Sequence, residues 1–402
     1  MMMKRFALSA LAIGILAAAN LASAQNSELK IALITSKGHP ALEPYAKQTE
    51  IGFMMGLEQL TGGTMTVNGR KIKVIIKDDQ GKPDLAKTLL TEAYADDKVD
   101  LAVGTTASGA ATAMLPIAAE FKKVLVVEAA VAADITGKFY NRYMFKTSRN
   151  SFHDACAGAA ATMVPGSVAF LAQDNVFGRD GIAASKDCLS KVGSKIKVVH
   201  EEYAPAATTD FTASAQRMFD ALKDAPAPRY LAIGWAGANP VGKLAALKPE
   251  RYGITLVPGG NILAVMKTWS AYAGSEGAIY YYYDFPKNKM NDWLVAEYKK
   301  RNAGTPPDFF TAGGVAAASA VITALKITKG STDTEKLITA MEGMKFDTPK
   351  GEMTFRKEDH QALQPMYHFR IKDKAKQKNE WDLLELIREI PAAQLPIPIN
   401  NK

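Results

Sequence analysis

The 402-residue chain is 48% hydrophobic and 22% charged with a formal net charge of +8, the balance of a globular protein rather than a disordered or fibrous one. At roughly 100–200 residues per domain this length suggests two or three structural units. Basic residues fall in pairs such as Lys122-Lys123 and Lys299-Lys300 interleaved with acids, a solvated surface that speaks against nucleic acid as a partner. The five histidines (39, 153, 200, 360 and 368) are scattered and form no metal-ligand set with Cys156 and Cys188, so neither a metal nor another cofactor is expected.

The N-terminal stretch "MMMKRFALSALAIGILAAANLASAQ" combines a basic start (Lys4, Arg5), an apolar run from Phe6 to Ala19 and the small-residue site Ala22-Ser23-Ala24. This predicts a secretory signal, residues 1–24, cleaved after Ala24. Cleavage takes the net charge from +8 to +6. No cysteine stands directly after the cut, so no lipid anchor is expected at the new N-terminus, and no later run is expected to reach the ~18–20 apolar residues that span a bilayer. The expectation is an exported, soluble protein of the periplasm. In that oxidising compartment Cys156 and Cys188 either pair or serve as small buried side chains.

From residue 28 the pattern alternates. "LKIALIT" (29–35) reads as a strand covered on both faces, followed by a helix with Tyr45, Thr49, Phe53, Gly56 and Leu60 at helical spacing. "KIKVIIKDD" (71–79), a helix over 83–94, "DLAVG" (100–104), a further helix and "VLVVEA" (124–129) complete a first parallel series. A second series runs through "SVAFLAQD" (167–174), a helix from Gly178, "IKVVHEEY" (196–203), a helix over 211–222, "RYLAIGW" (229–235) and "ITLVPGG" (254–260). "GAIYYYYDF" (277–285) is then expected as a strand, with helices over 293–301 and 314–329. "EMTF" and "MYHFRIK" are read as strands, and the tail "PAAQLPIPINNK" as extended or disordered. The fold class is α/β, two parallel-sheet lobes facing one another.

Ligands of open parallel sheets sit beyond the strands' C-terminal ends. The loop "GTTASG" (104–109) lies at such an end and opens a helix, whose free amides suit an anion. Ser108 there either caps the helix or donates its hydroxyl to a carboxylate. No enzyme motif is written nearby: "TTASGAA" is not G-x-S-x-G, and neither G-x-G-x-x-G nor G-x-x-x-x-G-K-[ST] occurs. Further strand-end loops carry Glu128 to Val131, Phe177 in "QDNVFGRDG" and Trp235 in "GWAGANP", and Tyr45 lies in the first. Together these suggest walls for an apolar ligand body. In a strand, the tyrosines 280–283 alternate faces, leaving Tyr283 as the one placed by the cleft.

"KIALIT", "GFMMGLEQL", "VIIKDDQGKPDLAKTLLTEAYADDKVDLAVGTTASGAATAMLPIAAE", "NRYMFKTSRN" and "DNVFGRDG", in this order, resemble the exported solute-binding proteins of ABC importers of the leucine/isoleucine/valine-binding type. The resemblance spans about residues 28–375. It implies two Rossmann-like lobes joined by a three-segment hinge, with crossings near 142–148, 278–286 and 349–355. Lobe 1 would then comprise 25–146 and 279–350, and lobe 2 would comprise 147–278 and a return over 351–390, before a tail at 391–402. It implies no catalysis, an ABC permease as partner, and ligand contacts at Tyr45, Ser108, Ala129, Val131, Phe177, Trp235 and Gly260, to which the loop 104–109 adds Thr106 and Gly109 and the tyrosine run adds Tyr283.

Two departures matter. Where amino-acid binders of the family carry a threonine, this chain has Val131, and Gly260 stands where they carry the glutamate that grips the ligand ammonium. A buried ammonium without an acceptor is costly. The expected ligand is therefore a small carboxylate without an α-amino group, an aromatic acid in the first place. The alternatives are an amino acid held by Asp284 or Glu128, and a ligand-sensing receptor on the same fold.

Overall fold

The computed structural model describes residues 28–161, 165–237 and 240–401; the signal-peptide reading lies outside them. In chain order the elements are β1 (Leu29–Thr35), α1 (Glu43–Leu60), β2 (Thr66–Val67), β3 (Arg70–Asp78), α2 (Pro83–Ala95), β4 (Leu101–Val103), α3 (Ser108–Phe121), β5 (Leu125–Val127) and β6 (Met144–Lys146). Next come α4 (Ser151–Ala161), β7 (Gly166–Gln173), α5 (Val176–Lys191), β8 (Ile196–Ala204), α6 (Thr212–Lys223), β9 (Arg229–Gly234), α7 (Val241–Ala246), β10 (Ile254–Pro258), α8 (Leu263–Met266) and β11 (Glu276–Ile279). The chain ends with α9 (Lys289–Arg301), α10 (Phe309–Ile327), α11 (Thr334–Met341), β12 (Lys345–Thr348), β13 (Gly351–Phe355), β14 (Ala362–Leu363), β15 (Met366–Ile371) and β16 (Leu384–Ile390).

Among the described residues the first lobe holds a sheet ordered β2-β3-β1-β4-β5-β6, parallel apart from the β2–β3 hairpin. The second holds the parallel sheet β10-β9-β7-β8, with β11-β15-β16 as an antiparallel annex. β1 is buried at six of its seven positions, as a strand covered by helices on both faces must be. One of those covers is α10, 19 residues long and apolar enough by composition to cross a membrane, with 83% of its apolar window buried in protein. The sequence reading expected no such run. It is a core helix, laid so close on α1 that a methyl at Gly52 would lie 2.0 Å from Thr311 O and one at Gly314 2.2 Å from Thr49 O.

The chain leaves the first lobe after β6 and returns after β11. The third crossing falls later than 349–355. β13 folds back on β12 through the turn at Pro349-Lys350, and Phe346, Met353, Phe355 and Ala362 share a core with Leu33 and Val103. Residues 351–363 therefore belong to lobe 1, because a hairpin strand stays with its partner; the return begins with β15, which pairs with β11.

The expected strand over 277–285 ends at Ile279. The tyrosines beyond it fan out instead of alternating. Tyr280 donates to Phe309 O (2.5 Å) and Tyr281 to Asn291 Oδ1 (2.7 Å), while Tyr282 and Tyr283 (3.3 Å) both reach Trp381 O. The strand β16 was not anticipated: its middle is exposed and charged, as suits a sheet edge. The tail packs down as an extended segment, with Leu395 and Ile397 buried and Arg356 donating to Ile397 O and Pro398 O (both 2.9 Å). Cys156 and Cys188 are bonded, joining α4 to α5.

Candidate functional site

The C-terminal ends of β1, β4 and β5 face those of β7, β9 and β10 across a cleft, and the lobes touch through it. Tyr45 of lobe 1 accepts from Gly237 N (2.7 Å) and donates to Asn261 Oδ1 (3.3 Å), both in lobe 2. Ala133 N donates to Asp180 Oδ2 of α5 (2.8 Å). A Cβ on Gly109 would sit 3.8 Å from Val176 at the tip of the same helix. The cleft is closed.

The loop 104–109 is welded to its neighbours rather than left open. Thr105 Oγ1 donates to Asp79 Oδ2 (2.5 Å), and Ala130 N donates to Thr105 O (3.0 Å), locking the loop to the 128–131 segment. Ala107 occupies the N-cap position of α3 without a side-chain cap. Ser108 is the first helical residue, and its Oγ accepts from Ala132 N (3.3 Å), so the capping alternative is corrected. Ala129 and Val131 are buried beside it; Val131 O accepts from Ser151 N (2.9 Å) at the start of α4. Thr106 and Gly109 are half-buried on the rim.

A cavity of about 230 Å³ opens from the cleft into lobe 2. Its cleft end is lined by Arg149, Ser151, Asp154, Phe177, Trp235, Gly260, Asn261, Tyr280 and Phe309. Phe177, Trp235 and Gly260 are thus gathered there from the sequence candidates. Tyr45, Ser108, Ala129 and Val131 form the lobe 1 side without lining the cavity itself. Gly260 has no room for a side chain, since a Cβ would lie 2.6 Å from Ile279 Cγ1. Tyr283 is not among the lining residues: its hydroxyl is spent on Trp381 and Lys299 lies over its ring. Asp284 is a surface residue paired with Lys287 Nζ (3.1 Å), so it is not placed to hold a ligand ammonium.

Sequence reasoning missed Arg149, although it stands next to last in the quoted "NRYMFKTSRN". Its Nε is held by Asp154 (2.8 and 3.0 Å), and its guanidinium lies 4.4 Å from the centroid of the Tyr280 ring. Arg149 belongs to a knot of buried charge at the hinge with Lys146, Lys350 and Glu128. Lys146 donates to Arg149 O (2.8 Å) and Lys350 to Gln364 Oε1 (2.5 Å). Burial pushes Lys146 down to about 7, with Arg149 adding to the effect, and takes Lys350 and His153 well below their usual ranges. Burial also pushes Glu128 up to about 7, against the pull of Thr147 and the three cations. Glu128 Oε2 accepts from Thr147 (2.8 Å), while its Oε1 has no hydrogen-bond partner among the described residues.

Two parallel-sheet lobes, a closed cleft at their strand ends and a cavity opening from it define a solute-binding protein of the two-lobed kind. The chain belongs to the periplasmic binding protein family, whose model matches residues 28–377. It is the substrate-binding protein of an ABC transporter, a transport class and not an enzyme class. It is 25% identical over 391 residues to Leu/Ile/Val-binding protein homolog 6 of Brucella melitensis, covering 91% of this chain and 92% of that one. A solved branched-chain amino acid ABC transporter protein of Rhodopseudomonas palustris CGA009 is 57% identical, with a TM-score of 0.81, covering 93% of this chain and all of the other. A solute-binding protein of an ABC transporter from Rhodopseudomonas palustris BisB5, solved with 3,4-dihydroxybenzoic acid, is 28% identical with a TM-score of 0.77 over 92% of this chain and 99% of its own.

Proposed function

We propose that the protein, exported and cleaved after Ala24, captures a small hydrophobic carboxylate, an aromatic acid in the first place, and delivers it to the permease of its importer. The observation that carries this is Arg149, a buried guanidinium at the cleft end of the cavity. Burial takes Lys146 and Lys350 below their usual range with Arg149 adding to the effect, whereas Arg149, against burial, is held above its own by Asp154 and lines the cavity. A carboxylate arriving there meets the guanidinium that Asp154 holds in place, whereas an α-ammonium adds another cation. Val131 and Gly260 offer that ammonium no acceptor. Arg149 and Ser151, with Ser108 and the backbone at Ala129 and Val131, would hold the carboxylate; Phe177, Trp235, Tyr280 and Phe309 would wall its apolar body. The relative solved with 3,4-dihydroxybenzoic acid supports this chemistry.

A second reading, a branched-chain amino acid, draws on Asp154, a carboxylate that does line the cavity, and on the name of the 57% identical relative. Calorimetric titration of residues 25–402 separates the two. Binding of 3,4-dihydroxybenzoate or benzoate with no heat from leucine is the expected result. Tight leucine binding with none by either acid would overturn the proposal and make Asp154 the ammonium partner.

A further inference from the structure

We infer that the carboxylate site is the mouth of a second, apolar subsite inside lobe 2, and that the preferred ligand is an elongated monocarboxylate, an arylalkanoate or linear alkanoate with its tail in that subsite. The inference rests on the head-group assignment above and concerns the part of the ligand that assignment leaves open.

The cavity does not stop at the aromatic wall. It continues along one face of the lobe 2 sheet, where Val168, Phe170 and Ala172 of β7 stand beside Tyr230 and Ala232 of β9. Alternate residues of a strand share a face, so these side chains form a continuous floor. From Ala172 at the cleft end to Val168 is four residues, or roughly 13 Å at ~3.3 Å each. A single benzoate ring would occupy only the near end.

The roof is α4 and α5, the two helices tied by Cys156–Cys188. Beside Ile182 of α5, which packs on Val168, Phe170 and Ala172, they present small groups where helices facing a sheet ordinarily fill the gap with large ones: Ala155, Gly158 and Ala159 from α4, Gly181 and Ser185 from α5. A Cβ added at Gly158 or at Gly181 meets no atom within 4 Å. Ser185 turns its hydroxyl back on Gly181 O (2.8 Å), so it makes no demand on an occupant. Leu189 and Ile196 line the far reach. Protein interiors rarely leave such space, and empty apolar cavities are destabilising. An apolar walled channel with Arg149 and Ser151 at its mouth fits one chemistry, a charged acid head on a narrow apolar tail.

The test is calorimetry of the wild-type protein, Gly181→Leu and Ala232→Leu against benzoate, 3-phenylpropanoate, 5-phenylpentanoate and octanoate, with melting temperatures confirming that both variants fold. In the wild type each buried methylene tightens binding by about fourfold, so the longer acids bind well below the Kd of benzoate. Filling the channel from its roof or its floor weakens 5-phenylpentanoate and octanoate by about tenfold or more and leaves benzoate within about threefold. The inference is overturned if benzoate binds the wild type at least as tightly as the long acids, or if both folded variants weaken every acid alike; in either case the head-group assignment stands. Failure of all four acids to bind overturns the head-group assignment itself.

Discussion

The Tyr45 hydroxyl joins the lobes, so Tyr45→Phe removes a single oxygen from the closed form and little else. That oxygen accepts from Gly237 N at 2.7 Å and donates to Asn261 Oδ1 at 3.3 Å. A neutral hydrogen bond contributes about 0.5–1.5 kcal/mol net, and the longer of the two belongs at the low end, so the closed form loses about 1–2 kcal/mol. A ligand that binds the closed form then shows a Kd weakened by about 5- to 30-fold. The ring itself stays packed on Phe310, 4.8 Å between centroids, and the melting temperature without ligand moves by no more than a few degrees. Burial holds the Tyr45 phenol up to about 12, so the difference between variant and wild type stays flat between about pH 6 and 10. Calorimetry with 3,4-dihydroxybenzoate measures the effect. An unchanged Kd in a folded variant would refute the role of Tyr45 as the latch of closure.

Further tests address the hinge and the roof. Glu128, pushed up to about 7 from an ordinary 4.5, holds a proton in the folded state that the unfolded chain has released between those values. Stability from this source is full below pH 4.5 and is lost as pH rises through 7, so Glu128 pulls the melting temperature down across that window, against the opposite pull of the buried His153 and His360 below pH 6.5. Asp308, also pushed up to about 7 by burial, acts in the same window, so Glu128→Gln reduces the slope without abolishing it. Equal slopes for variant and wild type would discard Glu128 as a contributor. Replacing both Cys156 and Cys188 by serine opens a link across 32 residues and costs about 3–4 kcal/mol in denaturant unfolding. A loss below about 1 kcal/mol would mean that packing alone holds the two helices together.

Much of the architecture was legible because long parallel strands write themselves plainly. "LKIALIT" and "SVAFLAQ" are near-continuous apolar runs, and their burial in the structure is nearly complete. The elements that escaped are those whose environment is set from far away. β16 is an exposed edge whose charged residues carry no strand signature. The tyrosines after Ile279 look like a strand by composition, yet each is drawn off by a different distant partner. Of the residues lining the cavity, Phe177 and Trp235 were read from their strand-end positions and Gly260 from the family resemblance alone. Arg149 was not, because its meaning depends on Tyr280 and Asp154 meeting it in space. Nor could spacing reveal that Tyr45 spans the cleft, since Gly237 and Asn261 lie about 200 residues along the chain.

The four tyrosines also bear on how the molecule signals. Tyr280 and Tyr281 are moored to Phe309 and Asn291 of the first lobe, and Tyr282 and Tyr283 to the Trp381 loop of the second. With adjacent hydroxyls stitched to opposite bodies and Asn291 Nδ2 donating to Tyr283 O (2.9 Å), this crossing is a pivot gripped from both lobes over four residues. Such a pivot favours two settled shapes over a graded series. The membrane partner would then read a yes-or-no message, with occupancy written in the angle between two rigid bodies.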